Sequence, residues 1–503
     1  MRRILIAVAL FGCGPPAAAP VEGNGLVFVT GASPLTAGCT AAQPGTLYTG
    51  AEVEPSVAVD PTNPQHLVGA WQQDRFSNGG AAALLSAYSF DGGHGWTRST
   101  AAFTLCTGGV WQRGSDPWVS IAADGTVHQA GFGFNESNPG KAMLAVRSTD
   151  GGRSWSDPIA LMTDTSGDFA LDKETITADP NDAHYVYAVW DRLTGQANPN
   201  SPANRGPTWF ARSTDNGVSW ETARMIYDPG ADAQTIANQI AVLPGGGLLN
   251  LMTVITQNSS KTPQPSVAVL LSNDRGQTWS APVAIAQAEF VGTVDPKNGQ
   301  PVRSGDLVPS IAIDPASGTA YVAWEDARFS GEQRDDIALS RSIDGGNTWS
   351  LPVQVNGMPA VQAFTPAVAF ANGVLAVSYY DLRDDTGAAG QLLASHWLAT
   401  SSDFGATFTD ARMSEPFDLQ SAPVADGYFL GDYQGLTHAG GAFLPFFVIA
   451  NSGNSGNRTD VVFRPADAAP LDASPSLAQR ARRLWVKMGA VRERWRFGTT
   501  RKQ

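Results

Sequence analysis

From residue 51 to residue 465, apolar and polar positions alternate in short runs rich in Val, Ile, Tyr and Trp. A period of two sends successive side chains to opposite faces, the mark of a β-strand. The clearest runs are Pro55-Ser56-Val57-Ala58-Val59-Asp60 and Pro309-Ser310-Ile311-Ala312-Ile313-Asp314. Each such run opens a hairpin, and most end on an aromatic residue: Pro55 to Trp71, Pro117 to Phe134, Glu174 to Trp190, Asn238 to Thr253, Pro309 to Trp324 and Pro366 to Tyr380. A seventh hairpin, Tyr433 to Ile449, keeps less of the pattern. Asp-Pro with Gly or Asn supplies the turn in several copies.

A second motif lies between the hairpins and recurs six times: Ser, any, Asp, any, Gly, any, any, aromatic. The copies run Ser89–Trp96, Ser148–Trp155, Ser213–Trp220, Ser272–Trp279, Ser342–Trp349 and Ser401–Phe408, at steps of 59, 65, 59, 70 and 59 residues. The unit is therefore two hairpins, with this box at the tip of the second. One four-stranded unit cannot bury both faces, but stacking units radially and closing the ring does. The pattern predicts an all-β propeller of four-stranded antiparallel blades over 51–465, with seven blades, or six as the alternative. Six boxes serve seven first hairpins, so the seventh unit lacks a last strand. Asp460-Val461-Val462-Phe463 suits its third strand, and the arm Gly25-Leu26-Val27-Phe28-Val29, within residues 21–50, suits the fourth.

In each box the Gly tolerates positive φ, while the Ser hydroxyl and the Asp carboxylate can bond turn amides. Asp91, Asp150, Asp215, Asp274, Asp344 and Asp403 are thus expected to be structural, since catalysis does not need one residue six times. The box turns lie at the end of each unit opposite the loop after its second strand. Any site is expected at that loop end.

Composition narrows the function. Gly 53 and Pro 33 suit many tight turns, and a net charge of -13 with 16% charged residues argues against nucleic acid. Residues 1–20 read as an export signal: Met1-Arg2-Arg3, an apolar run from Ile4 to Phe11, then Gly12-Cys13. Leu10-Phe11-Gly12-Cys13 resembles a bacterial lipobox with Cys13 as the lipidated residue; the alternative is cleavage near Ala17 to Ala19. Either places the protein in the cell envelope or outside the cell. Cys39 and Cys106 then remain, as a disulfide or as two free thiols. The six histidines show no metal-ligand spacing, and no cofactor is expected beyond a structural calcium that an acidic loop could hold. Residues 466–476 read as a linker. Beyond it, Leu477, Ala481, Leu484, Met488, Val491 and Trp495 form one apolar stripe on a basic helix over 477–497. From Leu471 on, nine Lys and Arg face two acids. That helix suits a membrane surface or docking on the acidic propeller; disorder is the third alternative.

Acids and arginines recur at the loop end. After second strands come Asp74-Arg75, Asp191-Arg192, Glu325-Asp326-Ala327-Arg328 and Asp381-Leu382-Arg383. Before first strands come Arg113 and Asp116, Asp172-Lys173-Glu174, Arg303 and Asp306, and Asp432-Tyr433. Pairs that repeat in register suit salt bridges at the rim. Residues found once, such as Arg113, Lys173, Glu174, Arg303 and Tyr433, suit an anionic or polyhydroxylated ligand near the axis.

The six boxes, the stretch from Ser304-Gly305-Asp306 to Arg328-Phe329, and Gly431-Asp432-Tyr433-Gln434-Gly435-Leu436 carry a resemblance to the sialidase superfamily of Asp-box propellers. It covers about residues 50 to 465 and extends especially to secreted bacterial members that are exo-α-sialidase-like. The resemblance implies three arginines on the substrate carboxylate, a tyrosine nucleophile activated by a glutamate, and an aspartate as acid/base. By position it offers Tyr433, Glu174 and Asp116 as catalytic candidates, and Arg75, Arg113, Arg303, Arg328, Asp306 and Asp432 as substrate-binding ones. The chain departs from the family in one place: the Arg-Ile-Pro segment that brings the first arginine is absent, and the hairpin begins Val53-Glu54-Pro55-Ser56. The expectation is an exported, monomeric sialidase-like propeller that acts on or binds glycans as a glycoside hydrolase. The alternative is a non-catalytic cell-surface propeller that binds glycan or protein.

Overall fold

The computed structural model describes residues 25–40, 43–194, 205–258 and 262–465. The expected signal segment 1–20 with Cys13, the expected linker 466–476 and the expected helix 477–497 lie outside the described residues.

Within them the chain is all-β, apart from three short 3-10 turns. Four-stranded antiparallel units follow one another, opening with Leu47–Asp60, Arg113–Ile121, Phe169–Ala178, Gln234–Val242, Ser310–Ile313, Ala363–Ala371 and Gly435–Ala439. The first two join into one sheet through the single pair Ala81–Gly114. In the first six units the strands run in sequence order. The seventh takes its fourth strand from the other end of the chain, where Val27 lies opposite Phe463 and Phe28 opposite Val462. The first strand of each unit packs against the first strand of the next, and the seventh returns to the first. Period-two alternation makes this cycle: one face of each sheet meets the unit before and the other the unit after. Trp71, Trp190 and Trp324, within three second strands, are fully buried between units. Each contributes about 3 kcal/mol on burial.

The six boxes share one bonding pattern. In the second unit Ser148 donates to Asp150 Oδ1 at 2.7 Å, and the amides of Gly152 and Ser154 donate to Ser148 Oγ and Asp150 Oδ1 at 2.8 and 2.9 Å. The Thr278 hydroxyl and amide hold the Asp274 carboxyl down at about 2. Gly93, Gly152, Gly217, Gly276, Gly346 and Gly405 all take the positive φ the turn requires. Boxes also dock on the preceding unit. Asn216 meets His128 at 2.9 Å, Arg275 meets Asp182 at 2.8 Å, and the Gly151 carbonyl meets His66 at 3.1 Å. Boxes and first-hairpin turns therefore share one end of the units.

The N-terminal arm is pinned at several points. Thr30 donates to Asp460 at 3.0 Å and Ser33 to Asp74 at 2.7 Å. Cys39 is bonded to Cys106, with Cα atoms 5.2 Å apart.

A candidate site at the loop end

One backbone device aims the central side chains. Glu54, Asp116, Lys173, Ala237 and Thr365 all have positive φ, between 48° and 62°. Each lies in a bulge of its unit's first strand, where the register slips: Val53/Ser56, Ser115/Trp118, Asp172/Thr175, Ile236/Gln239 and Phe364/Ala367. A non-glycine residue held there costs about 1–3 kcal/mol, and bulges re-aim side chains at functional sites. Here the bulges gather Glu54, Asp116 and Lys173 from three successive units.

Lys173 is the hub. Its Nζ lies 2.7 Å from Asp116 Oδ1, 2.7 Å from Asp432 Oδ2 and 3.1 Å from Glu54 Oε1, all buried. Arg303 binds the same Asp432 through two nitrogens, at 2.8 and 2.5 Å. Against the cost of burial, Arg303 and Lys173 hold the Asp432 carboxyl well below its ordinary value. Burial, then Asp116, pushes Glu54 upward against Lys173. Gln72 links Glu54 to Arg75, whose Nη1 donates to Gln72 Oε1 at 2.6 Å. The Arg75 and Arg303 guanidiniums both lie over the Phe429 ring, at 4.9 and 4.5 Å.

Above the hub a cleft of about 670 Å³ opens. Asp172, Lys173, Arg303, Asp306 and Asp432 line it, and an insertion forms one wall. That insertion carries Thr293–Val294 and Pro301–Arg303, with the latter pairing parallel to Tyr428–Phe429. Beneath the cleft a space of about 20 Å³ lies among Trp118, Glu174, Asn238, Val308 and Tyr433. It is water-sized and too small for a sugar.

The sequence candidates fall into three groups. Asp116, Asp432, Arg303 and Arg75 meet at or beside the hub, and Asp306 lines the cleft. Tyr433 and Glu174 share the small space but do not bond. The Tyr433 hydroxyl donates to the Pro117 carbonyl at 3.2 Å, and neither Glu174 oxygen has a hydrogen-bond partner. Burial first, then nearby carboxylates, pushes both groups well above their ordinary values. Arg113 and Arg328 sit elsewhere. Arg113 donates to Gln43, Pro44, Asn78 and Gly79 and so holds the arm. Arg328 clasps Asp326 at 2.7 and 2.8 Å on the rim.

Rim pairing holds for Asp326–Arg328 and for Asp381–Arg383, at 2.5 Å, but not for the other two pairs. Asp74 turns instead to Ser33 and the Gly50 amide, freeing Arg75 to face the hub. Asp191 reaches Thr235, Ala237 and Asn238 of the next unit, while Arg192 stacks 3.4 Å from the Phe169 ring centre. Both arginines gain more from a neighbouring unit or a ring than from the adjacent acid. Among the described residues no three His, Cys, Asp or Glu side chains converge as metal ligands.

Sequence reasoning passed over Glu54, Asp172 and Thr293 as site residues. Glu54 precedes Pro55 as Asp116 precedes Pro117, so the repeat register marks it. The 70-residue step between the fourth and fifth boxes marks the insertion that carries Thr293.

A sialidase from Micromonospora viridifaciens is 26% identical to this chain over 256 residues. The chain is a distant homologue of sialidases. The match takes in 45% of this sialidase-like chain and 35% of the relative, so the chain spans about a third of the length of that curated protein. No family model matches. Among solved structures, a Hadza microbial sialidase is 15% identical at a TM-score of 0.46, covering 79% of this chain and 72% of its own. The α-L-arabinofuranosidase arb93a of Fusarium graminearum is 14% identical at 0.45, covering 65% and 88%.

Proposed function

We propose that the chain is an exported glycan-processing protein, that its seven units are the blades of one closed propeller, and that its cleft takes neutral glycans. The observation that carries this is the fate of the central cations. Lys173 is shared by three carboxylates, Arg303 is spent on Asp432, and Arg75 is tied through Gln72 to Glu54. A substrate carboxylate needs free, forked arginines. Here it would meet a centre where internal acids already hold the positive charge. A neutral sugar needs acceptors and donors along a wall, and Asp172, Asp306, Arg303 and Thr293 supply them. The Cys39–Cys106 bond suits an oxidising compartment, in keeping with export.

The test is a binding screen of purified protein against neutral oligosaccharides and sialosides. Selective binding of neutral glycans, lost in Arg303→Ala, is the expected result. Preferential binding or cleavage of sialosides would overturn it and restore a sialidase assignment.

A further inference from the structure

Most carboxyls at the centre are spoken for. Glu54, Asp116 and Asp432 engage Lys173, Arg303 and Gln72. Two on the cleft wall are not. Asp172 opens the bulge of the third unit and accepts only the Lys173 amide, at 3.0 Å. Asp306 precedes the first strand of the fifth unit and has the amides of its own residue and Leu307 beside it, with the carboxyls of Asp335 and Asp432 near and no cation among its neighbours in the described residues. Both are half-buried and line the same cleft, together with Ile236 of the intervening unit. A further wall residue points to a ligand independently: Thr293 is 2% exposed, and its hydroxyl has no hydrogen-bond partner. A buried hydroxyl left unpaired costs about 1–3 kcal/mol, which a sugar hydroxyl in the cleft would recover.

We infer that Asp306 and Asp172 are the proton donor and the base of a glycoside-hydrolysing site whose substrate is an uncharged glycoside, with Thr293 bonding a substrate hydroxyl. The inference rests on the glycan-binding cleft proposed above. Asp306 passes its proton to the glycosidic oxygen as the bond from that oxygen to the anomeric carbon breaks. A water oxygen bonds to the same carbon, and Asp172 takes the proton that water releases. Two carboxyl groups across the scissile bond are the general means of glycoside hydrolysis. Burial raises both groups to about 6. For Asp306 the next causes after burial are Asp335 and Asp432, both raising it. Asp172 is drawn back by Lys173 and Arg303, against Asp116 and Asp432, so near pH 6 the pair can hold one proton between a donor and an ionised base.

Kinetics on a panel of neutral aryl and alkyl glycosides test this, with oligosaccharide binding measured in parallel. Wild type should turn over at least one glycoside, most rapidly near pH 6. Asp306→Asn should lose about 100-fold or more on alkyl glycosides, but little on a dinitrophenyl glycoside, whose leaving group needs no proton. Asp172→Asn should lose similarly on both, and Thr293→Val should raise KM. Turnover that survives both Asn substitutions, or falls equally on every leaving group in Asp306→Asn, would overturn the inference. Glycan binding without any turnover would overturn it while leaving the glycan-binding cleft standing. Absence of both would remove the cleft assignment as well.

Discussion

The two ends of the units are built on opposite plans. At the box end one solution is repeated six times, and each carboxylate is satisfied within its own turn, as Asp150 is by Ser148 and Ser154. At the loop end the same bulge recurs five times, but its occupants differ: Glu54, Asp116, Lys173, Ala237 and Thr365. The backbone keeps the register while the side chains diverge into a single charged hub. Repetition marks what every unit needs for itself. Singular residues at a repeated position mark what the whole assembly does once.

The contrast can be broken most forcefully at the hub. Lys173→Met should destabilise the protein by about 3–5 kcal/mol in denaturant unfolding, because three carboxylates lose their buried counter-charge. Next comes the arm, which completes the seventh unit and is tied to the first. Replacing Cys39 and Cys106 by Ser should cost about 2–4 kcal/mol, read as a lower urea midpoint under non-reducing conditions.

At the box end the expected effects are smaller and leave ligand binding intact. His128 is buried and held at about 4, by burial first and then against the pull of Asn216. A histidine depressed in the folded state gives stability that is complete above its unfolded value near 6.5 and is lost as pH falls towards 4. Unfolding free energies should therefore drop by up to about 3 kcal/mol across that window, and the drop should be shallower in His128→Gln. Asp150→Ala removes the bonds of one turn and should cost about 1–2 kcal/mol, with glycan binding unchanged. The smallest effect belongs to Arg328→Ala, whose partner is Asp326 on the rim: binding in the cleft should not move.

Much of this architecture was legible in the sequence. Period two, the box spacing and the orphaned seventh hairpin pointed to four-stranded units, and the structure places Val27–Phe28 beside Thr459–Phe463. Strand direction separated the box end from the loop end. The candidate site was legible only as a neighbourhood. Adjacency suggested that Asp74 would hold Arg75 and Asp191 would hold Arg192, yet Asp74 serves the arm and Asp191 serves the next unit. Such choices depend on which unit comes alongside, which sequence spacing does not encode. Nor could spacing show that Lys173 and Arg303 would be consumed by internal acids rather than offered to a ligand. Glu54 is marked only by its place in the repeat, since its hairpin otherwise stands out for the arginine it lacks.

The most direct test is a crystal structure of the protein soaked with a neutral oligosaccharide that it binds. The account predicts sugar density in the cleft between Asp172 and Asp306, with a sugar hydroxyl on Thr293. Density at the box end, or a charged sugar displacing Asp432 from Arg303, would contradict it.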